Sequence, residues 1–185
     1  LNDLFGIQSR GGWQCAGPYG HRLLNIDLTR SIAFEREIQR GCRGIKPGWA
    51  RMNLNYFISE TVFDYLVKAV LFIADHGWRM MPDYIFDPET GRWRHQDTEF
   101  KAKMGLDFIN YRSGRMEYRS RHATEPEAAL HSYLEEAHEL MNHDAHRRSP
   151  ILEPIELNDD YESLRWFPLP SEVQARLNGE DSASD

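Results

Sequence analysis

Two stretches of the chain carry the helical spacing of apolar residues most clearly. Residues 29–40 set apolar side chains among charged ones, and glycines at 41 and 44 end the pattern. Residues 59–76 begin with a serine that suits a helix N-cap, carry a broad apolar face and end before Gly77. We therefore predict one amphipathic helix in each stretch.

Other stretches have the alternation that is typical of strands. Residues 49–57 alternate apolar and polar side chains, and residues 3–9 have the composition of a short buried strand. Residues 84–95 contain two aromatic runs around a Pro-Glu-Thr-Gly turn, which predicts a hairpin. Two short runs, at 106–111 and 115–120, also indicate strands. The predicted fold class is α/β, in the stricter sense α+β: a small, mainly antiparallel sheet with helices packed on one face.

The chain changes character after its first half, and we divide it into three parts. Residues 1–95 form the predicted small domain. Residues 96–150 are polar and contain a helix over 125–147, a C-terminal helical extension of unknown role. Residues 151–185 are rich in proline and acidic residues, and we predict a partly disordered tail there.

Charge and composition narrow the classes of protein. The net charge of −7 over 185 residues argues against nucleic acid or a membrane surface as a partner, because phosphate binding needs clustered basic residues. No apolar run approaches the roughly 18 residues that span a membrane. The two cysteines come without a secretory signal, so we expect reduced thiols in a cytoplasmic protein. The chain begins with Leu1 in an apolar stretch, and we expect it to be a piece of a longer protein.

Residues 10–21, RGGWQCAGPYGH, hold the candidate chemistry. Neither a P-loop nor a dinucleotide-binding glycine spacing is present, and Cys15 with His21 would supply at most two of the four ligands of a zinc site. A reactive thiol fits better, because nearby cations and a helix N-terminus stabilise a thiolate. Arg10 and His21 flank the cysteine, and a short helix is predicted over 18–26. A turn with a passive cysteine stays open as the alternative.

The same loop and the segment after it carry a resemblance to a known family. FGIQSRGGWQCAGPYGHRLL, followed by GIKPGWARMNLNYFISETVFDYLVKAV, resembles the C-terminal small domain of class V aminotransferase-fold enzymes, which depend on pyridoxal phosphate (PLP). Within that class it is most similar to the cysteine-desulfurase-like branch. The resemblance covers residues 1–95, and Arg51 matches the arginine of the family's later strand. The loop residues that match are Arg10, Gly11, Cys15, Ala16 and Pro18.

The resemblance implies roles for three residues. Cys15 would attack the sulfur of L-cysteine and keep it as a persulfide, leaving alanine. Arg51 would hold the substrate carboxylate as a bidentate clamp, a task that suits a planar guanidinium. Arg10 would lie near the substrate or the partner subunit of a homodimer.

The cofactor would be held elsewhere. In this family the PLP lysine, the acidic partner of the pyridine nitrogen and the phosphate cup belong to an upstream large domain. We therefore predict that this chain alone does not bind PLP and is inactive. A large exposed apolar patch should mark the place of the large domain.

Two other functions stay open. The chain would otherwise be a non-catalytic interaction module derived from the same fold, or part of a class V aminotransferase, epimerase or lyase that uses Arg51 but not Cys15.

A second histidine-containing motif lies in the predicted C-terminal helix. The histidines of HELMNH are five positions apart rather than the four of a zinc protease, so they do not share a helix face. His131, Glu135 and His138 do share a face, for which we prefer the interpretation of a solvated surface over a metal site.

Overall fold

A computed structural model of the protein describes residues 1–13, 15–97, 109–118, 125–142 and 152–181. The helices in these ranges are α1 (Asn2–Phe5), α2 (Gly17–Leu23), α3 (Leu28–Gln39), α4 (Glu60–His76), α5 (Leu130–Asn142), α6 (Asp159–Leu164) and α7 (Pro170–Asp181). The strands form two antiparallel pairs, β1 (Tyr84–Asp87) with β2 (Arg92–His95) and β3 (Ile109–Asn110) with β4 (Glu117–Tyr118). Short 3-10 helices occupy Arg43–Ile45, Gly77–Asp83 and Glu127–Ala129. Helices combined with small antiparallel pairs confirm the predicted α+β class.

The two amphipathic helices lie where the sequence predicts them. The Asp27 side chain caps α3 by accepting a 2.7 Å hydrogen bond from the Arg30 amide. The Ser59 hydroxyl caps α4 by accepting one of 3.1 Å from the Val62 amide. Each such cap satisfies an amide that the helix itself leaves unpaired and contributes about 1 kcal/mol. Both predictions are confirmed, with each end within one residue of the predicted one.

The strands predicted at residues 3–9 and 49–57 are wrong. Residues 2–5 form α1, which ends at Gly6 with φ 64°. Residues 49–57 form only an isolated antiparallel bridge, between Arg51 and Arg10. Alternation predicts a strand only where a partner strand buries one face, and Tyr56 in this segment is 99% exposed. The hairpin predicted at 84–95 is confirmed as β1 and β2.

Two hydrophobic clusters organise the described residues. The first joins α1, α4 and α5 through Phe5, Ile7, Tyr65, Ala69, Phe72 and Ala137. The second joins α3, β1 and α6 through Phe34, Ile45, Phe86, Tyr161, Leu164 and Leu169. Residues 152–181, which lie in the predicted C-terminal tail, contribute two helices and several buried side chains.

The segment between the hairpin and the tail is described in part. β3 and β4 lie inside the stretches 106–111 and 115–120 where short strands are predicted. The helix predicted over 125–147 is a 3-10 turn followed by α5, and residues 143–147 lie outside the described ranges. None of the described helices is both long and apolar enough to cross a membrane.

Candidate functional site

Two reciprocal backbone hydrogen bonds join Arg10 to Arg51. Arg10 begins the loop of residues 10–16 that contains Cys15, here called the cysteine loop, and Arg51 follows the Lys-Pro-Gly stretch at residues 46–48. The Arg10 amide donates to the Arg51 carbonyl at 3.1 Å, and the Arg51 amide donates to the Arg10 carbonyl at 2.8 Å. Residues directly opposite in an antiparallel pair project their side chains to the same side, with Cα atoms about 5.5 Å apart. Both side chains are exposed. The bridge therefore places the two arginines that the sequence singled out side by side.

Glycines allow this pairing to continue toward the loop. The Trp49 amide donates to the Gly12 carbonyl at 3.3 Å. A Cβ atom on Gly48 would lie 2.5 Å from Gly12 Cα, which is closer than any side chain allows. Only a residue without a side chain fits at position 48, because the two backbones touch there.

Cys15 lies at the tip of the loop, two positions before α2 begins at Gly17 and directly before the N-cap residue Ala16. The side chain is exposed, and the backbone is left-handed with φ 63°. The Ala16 amide donates to the Trp13 carbonyl at 2.9 Å and closes the turn around the cysteine. The short helix predicted over 18–26 is confirmed as α2, slightly earlier in the chain.

Trp13 anchors this loop against α2. Its ring centroid lies 4.8 Å from that of His21 and 6.4 Å from that of Trp49. Gly20 is buried beneath the ring, and a Cβ atom there would overlap the indole. A half-buried aromatic residue two positions before Cys15 thus fixes where the thiol emerges.

His21 is held in one tautomer by its two neighbours. Nδ1 lies 2.8 Å from the Gly17 carbonyl oxygen, and Nε2 lies 2.8 Å from Ser31 Oγ. Since a carbonyl oxygen only accepts, Nδ1 carries the proton of the neutral ring and Nε2 accepts the hydrogen of the Ser31 hydroxyl. This contact joins α2 to the first turn of α3.

A surface groove of about 600 Å³ opens between the loop, α2 and α3. Its polar side chains come from Cys15, His21, Ser31, Glu35, Gln39 and Lys46, and its apolar ones include Trp13, Ile26, Phe34 and Ile38. Arg10 and Arg51 do not line it. The structure therefore brings the two arginines together at one end of the loop and places Cys15 in a groove at the other.

Ser31 belongs to this site but the sequence gives no sign of it. It lies on an ordinary amphipathic helix, ten positions after His21, and only the packing of α2 on α3 brings the two together. Cys42 lies away from the groove. Burial and the nearby Glu37 carboxylate raise the pKa of the half-buried Cys42 thiol, which disfavours its nucleophilic thiolate form.

The described residues do not fit PLP. A Schiff-base lysine needs a sheltered site with an acidic partner and a phosphate cup near it. Lys46 is exposed at the edge of the groove, and Lys68 is exposed on α4, where it lines a different groove. Lys101 and Lys103 lie outside the described ranges.

The histidine-containing face of α5 lines that second groove, of about 430 Å³. His131 Nε2 lies 3.8 Å from Glu135 Oε1, and both side chains are mostly exposed. Within the part of the chain that the structure describes, no three metal-binding side chains converge to hold an ion. His143 lies outside the described ranges.

Comparisons with known proteins add no relative to this picture. No protein-family model, curated protein or solved structure matches the chain.

Proposed function

We propose that the chain is the small domain of a PLP-dependent class V aminotransferase-fold enzyme of the cysteine-desulfurase-like type. In this proposal Arg51 and Arg10 bind the substrate carboxylate, and Cys15 accepts the substrate sulfur. The observation that carries the proposal is the reciprocal Arg10–Arg51 backbone pair, a register in which the two side chains leave the same face of the bridge next to the loop that contains Cys15.

The arginine pair has the chemistry of a carboxylate site. Like charges directly opposite one another in an antiparallel pair are destabilising, and a bound carboxylate would offset that cost. A guanidinium donates two parallel hydrogen bonds to one carboxylate, which fixes both the position and the orientation of the bound acid. An α-amino acid is the simplest small molecule that combines this anchor with a reactive side chain.

Cys15 has the exposure that a sulfur acceptor needs. Its left-handed backbone costs about 1 kcal/mol in a residue other than glycine. This backbone conformation presents the exposed Cys15 side chain at the loop tip, where the proposed large domain would bring the cofactor and the amino-acid substrate. Cys15 then carries the transferred sulfur atom as a persulfide.

The large domain would supply PLP, because the described residues do not fit it. The segment after Arg51 offers a surface for that domain. Tyr56 and Phe57 are 99% and 72% exposed, and their ring centroids lie 5.4 Å apart. Adjacent exposed aromatic rings are typical of a surface that another unit covers.

The proposal is tested on the full-length gene product, with PLP bound, by turnover of L-cysteine to alanine. After turnover, the peptide containing Cys15 should gain the mass of one sulfur atom, and Cys15→Ala should abolish both this gain and sulfur release. Cys42→Ala is the matched control and should leave both unchanged. Unchanged sulfur release from Cys15→Ala would contradict the proposed role of the thiol.

A further inference from the structure

A histidine and a serine that the proposed function does not use meet in the groove beside Cys15. His21 Nδ1 donates to the Gly17 carbonyl oxygen at 2.8 Å, and Nε2 accepts from Ser31 Oγ at 2.8 Å. Both side chains are half-buried and line the same groove. The imidazole is thereby oriented with its basic nitrogen on the serine.

This arrangement meets the geometric requirements for an activated nucleophile. A hydroxyl becomes nucleophilic when a base within about 2.6–3.2 Å accepts its proton and a third group orients that base. Ser31 is the hydroxyl, His21 is the base, and the Gly17 carbonyl is the orienting group. A carbonyl oxygen in this third position fixes the tautomer without adding a charge.

Among the serines that the structure describes, Ser59 also donates to a side-chain base, the Glu127 carboxylate at 2.6 Å, whereas two others donate to backbone carbonyls. The Ser132 hydroxyl donates to the Ala129 carbonyl at 2.9 Å, and the Ser163 hydroxyl donates to the Asp160 carbonyl at 2.8 Å. A backbone carbonyl accepts a hydrogen bond but does not take the proton. These two serines therefore show the ordinary bonding of a helical hydroxyl, against which Ser31 stands out.

The groove itself determines the class of substrate. Its volume of about 600 Å³ falls in the usual range for small-molecule sites. Phe34, Ile26 and Ile38 are among its walls, together with the charged Glu35 and Lys46, and the apolar side chains favour an uncharged acyl group. A small carboxylic ester combines such a group with a carbonyl carbon that a serine oxygen attacks.

We propose that Ser31 and His21 form a catalytic nucleophile–base pair that hydrolyses small, uncharged carboxylic esters in this groove. Ser31 Oγ forms a bond to the ester carbonyl carbon while its proton passes to His21 Nε2. The bond from that carbon to the alcohol oxygen then breaks, and the departing oxygen takes the proton from Nε2. Water adds to the acyl group by the same route, which releases the acid and restores the serine hydroxyl.

The test begins with covalent labelling of the chain by diisopropyl fluorophosphate, followed by peptide mass mapping. Ser31 should acquire the phosphoryl group with loss of fluoride, whereas Ser132 and Ser163 should not. His21→Gln should slow labelling at least about 100-fold, the usual contribution of a general base.

Hydrolysis of p-nitrophenyl butyrate supplies the second measurement. Ser31→Ala should lose this activity, and the control Ser132→Ala should keep it, with equal circular dichroism for both. Labelling of Ser31 is measured on the unaltered chain, so it tests the proposed nucleophile even if the Ser31→Ala variant does not fold. Absence of label at Ser31, equal labelling rates in His21→Gln, or hydrolysis that depends on Cys15 instead of Ser31 would overturn the proposal.

Discussion

The hydroxyl of Tyr65 donates a 2.8 Å hydrogen bond to the backbone carbonyl of Phe5 inside the first hydrophobic cluster. The two rings also meet edge to face, with centroids 6.1 Å apart. One residue of α4 thus anchors α1 by packing and by a polar contact, and the chain leaves α1 to enter the cysteine loop.

Tyr65→Phe should destabilise the fold by about 1–2 kcal/mol, because the ring stays but a buried carbonyl loses its donor. Urea unfolding followed by circular dichroism measures this free energy. Tyr56→Phe is the control, since Tyr56 is 99% exposed and a surface change is expected to stay within about 0.5 kcal/mol. Equal unfolding midpoints for the two variants would show that the Phe5 contact contributes nothing.

Gly48→Ala should destabilise the site by about 1–3 kcal/mol, the usual cost of overpacking. The added Cβ would lie 2.5 Å from Gly12 Cα, so the loop must move away from the Arg51 segment. Hydrogen exchange of the Arg10 and Arg51 amides should accelerate with it. Gly11→Ala is the matched control, because a Cβ atom there meets nothing within 4 Å; unchanged exchange in Gly48→Ala would contradict the backbone contact.

A sequence prediction is confirmed here where the pattern behind it is local, and it is wrong where the pattern requires a partner elsewhere in the fold. α3 and α4 are predictable because spacing and cap residues such as Asp27 and Ser59 are local. The strand predicted at 49–57 fails because alternation does not say whether a partner exists. α7 is not predicted from the sequence, because acidic residues and prolines dominate the composition of this segment. Its helical spacing is nevertheless present in three buried residues that recur every four positions, Leu169, Val173 and Leu177.

In the candidate site, too, some residues could be predicted from the sequence and others could not. Cys15, Arg10 and Arg51 are candidates from the sequence because their motifs resemble those of a family, and the structure adds that Arg10 and Arg51 pair through their backbones. The contact of His21 with Ser31 depends on how α2 packs on α3. No local pattern encodes the angle between two helices, so this pair could not be predicted.

Under the proposed function, Arg51→Ala in the full-length gene product should raise KM for L-cysteine about 10-fold to 150-fold. The range corresponds to the loss of about 1.5–3 kcal/mol of hydrogen bonding to a charged group. Cysteamine has the same thiol and amine without the carboxylate, so its turnover should not change. Arg22→Ala, which removes an exposed arginine of α2, is the control. An equal rise in KM for L-cysteine and for cysteamine would show that Arg51 does not bind the carboxylate.

Acid should weaken the C-terminal part of the fold through Glu172. Arg165 donates to both carboxylate oxygens of Glu172 at 2.7 Å, and this pairing lowers the pKa of Glu172. A lowered pKa in the folded state adds stability above the ordinary glutamate pKa, near 4.5, and this stability is lost as the pH falls through the folded value. The unfolding free energy should therefore decrease below about pH 4.5.

Glu172→Gln should flatten that decrease, because the amide does not titrate. Urea midpoints at a series of pH values measure the effect. Glu153→Gln, at an exposed position of the extended segment before α6, should leave the slope unchanged. A slope in Glu172→Gln equal to that of the unaltered chain would exclude Glu172 as the group responsible.

Tyr161→Phe should not lower the free energy of unfolding, in contrast to Tyr65→Phe. Tyr161 is 1% exposed, and its hydroxyl oxygen has no hydrogen-bond partner among the residues that the structure describes. Burial raises the pKa of Tyr161 to about 12, so the hydroxyl stays neutral at ordinary pH. A buried hydroxyl without a partner costs about 1–3 kcal/mol, and its removal should leave the fold equally stable or more stable.

The two tyrosine variants delete the same atom from two buried rings, so comparing them isolates the effect of the hydrogen-bond partner. Urea unfolding of both variants under identical conditions gives the difference directly. Because the Tyr161 ring packs in the second cluster and remains in place as phenylalanine, lost packing cannot account for a change in stability. Destabilisation of Tyr161→Phe by as much as Tyr65→Phe would mean that the Tyr161 hydroxyl is hydrogen-bonded, with a buried water as the simplest partner.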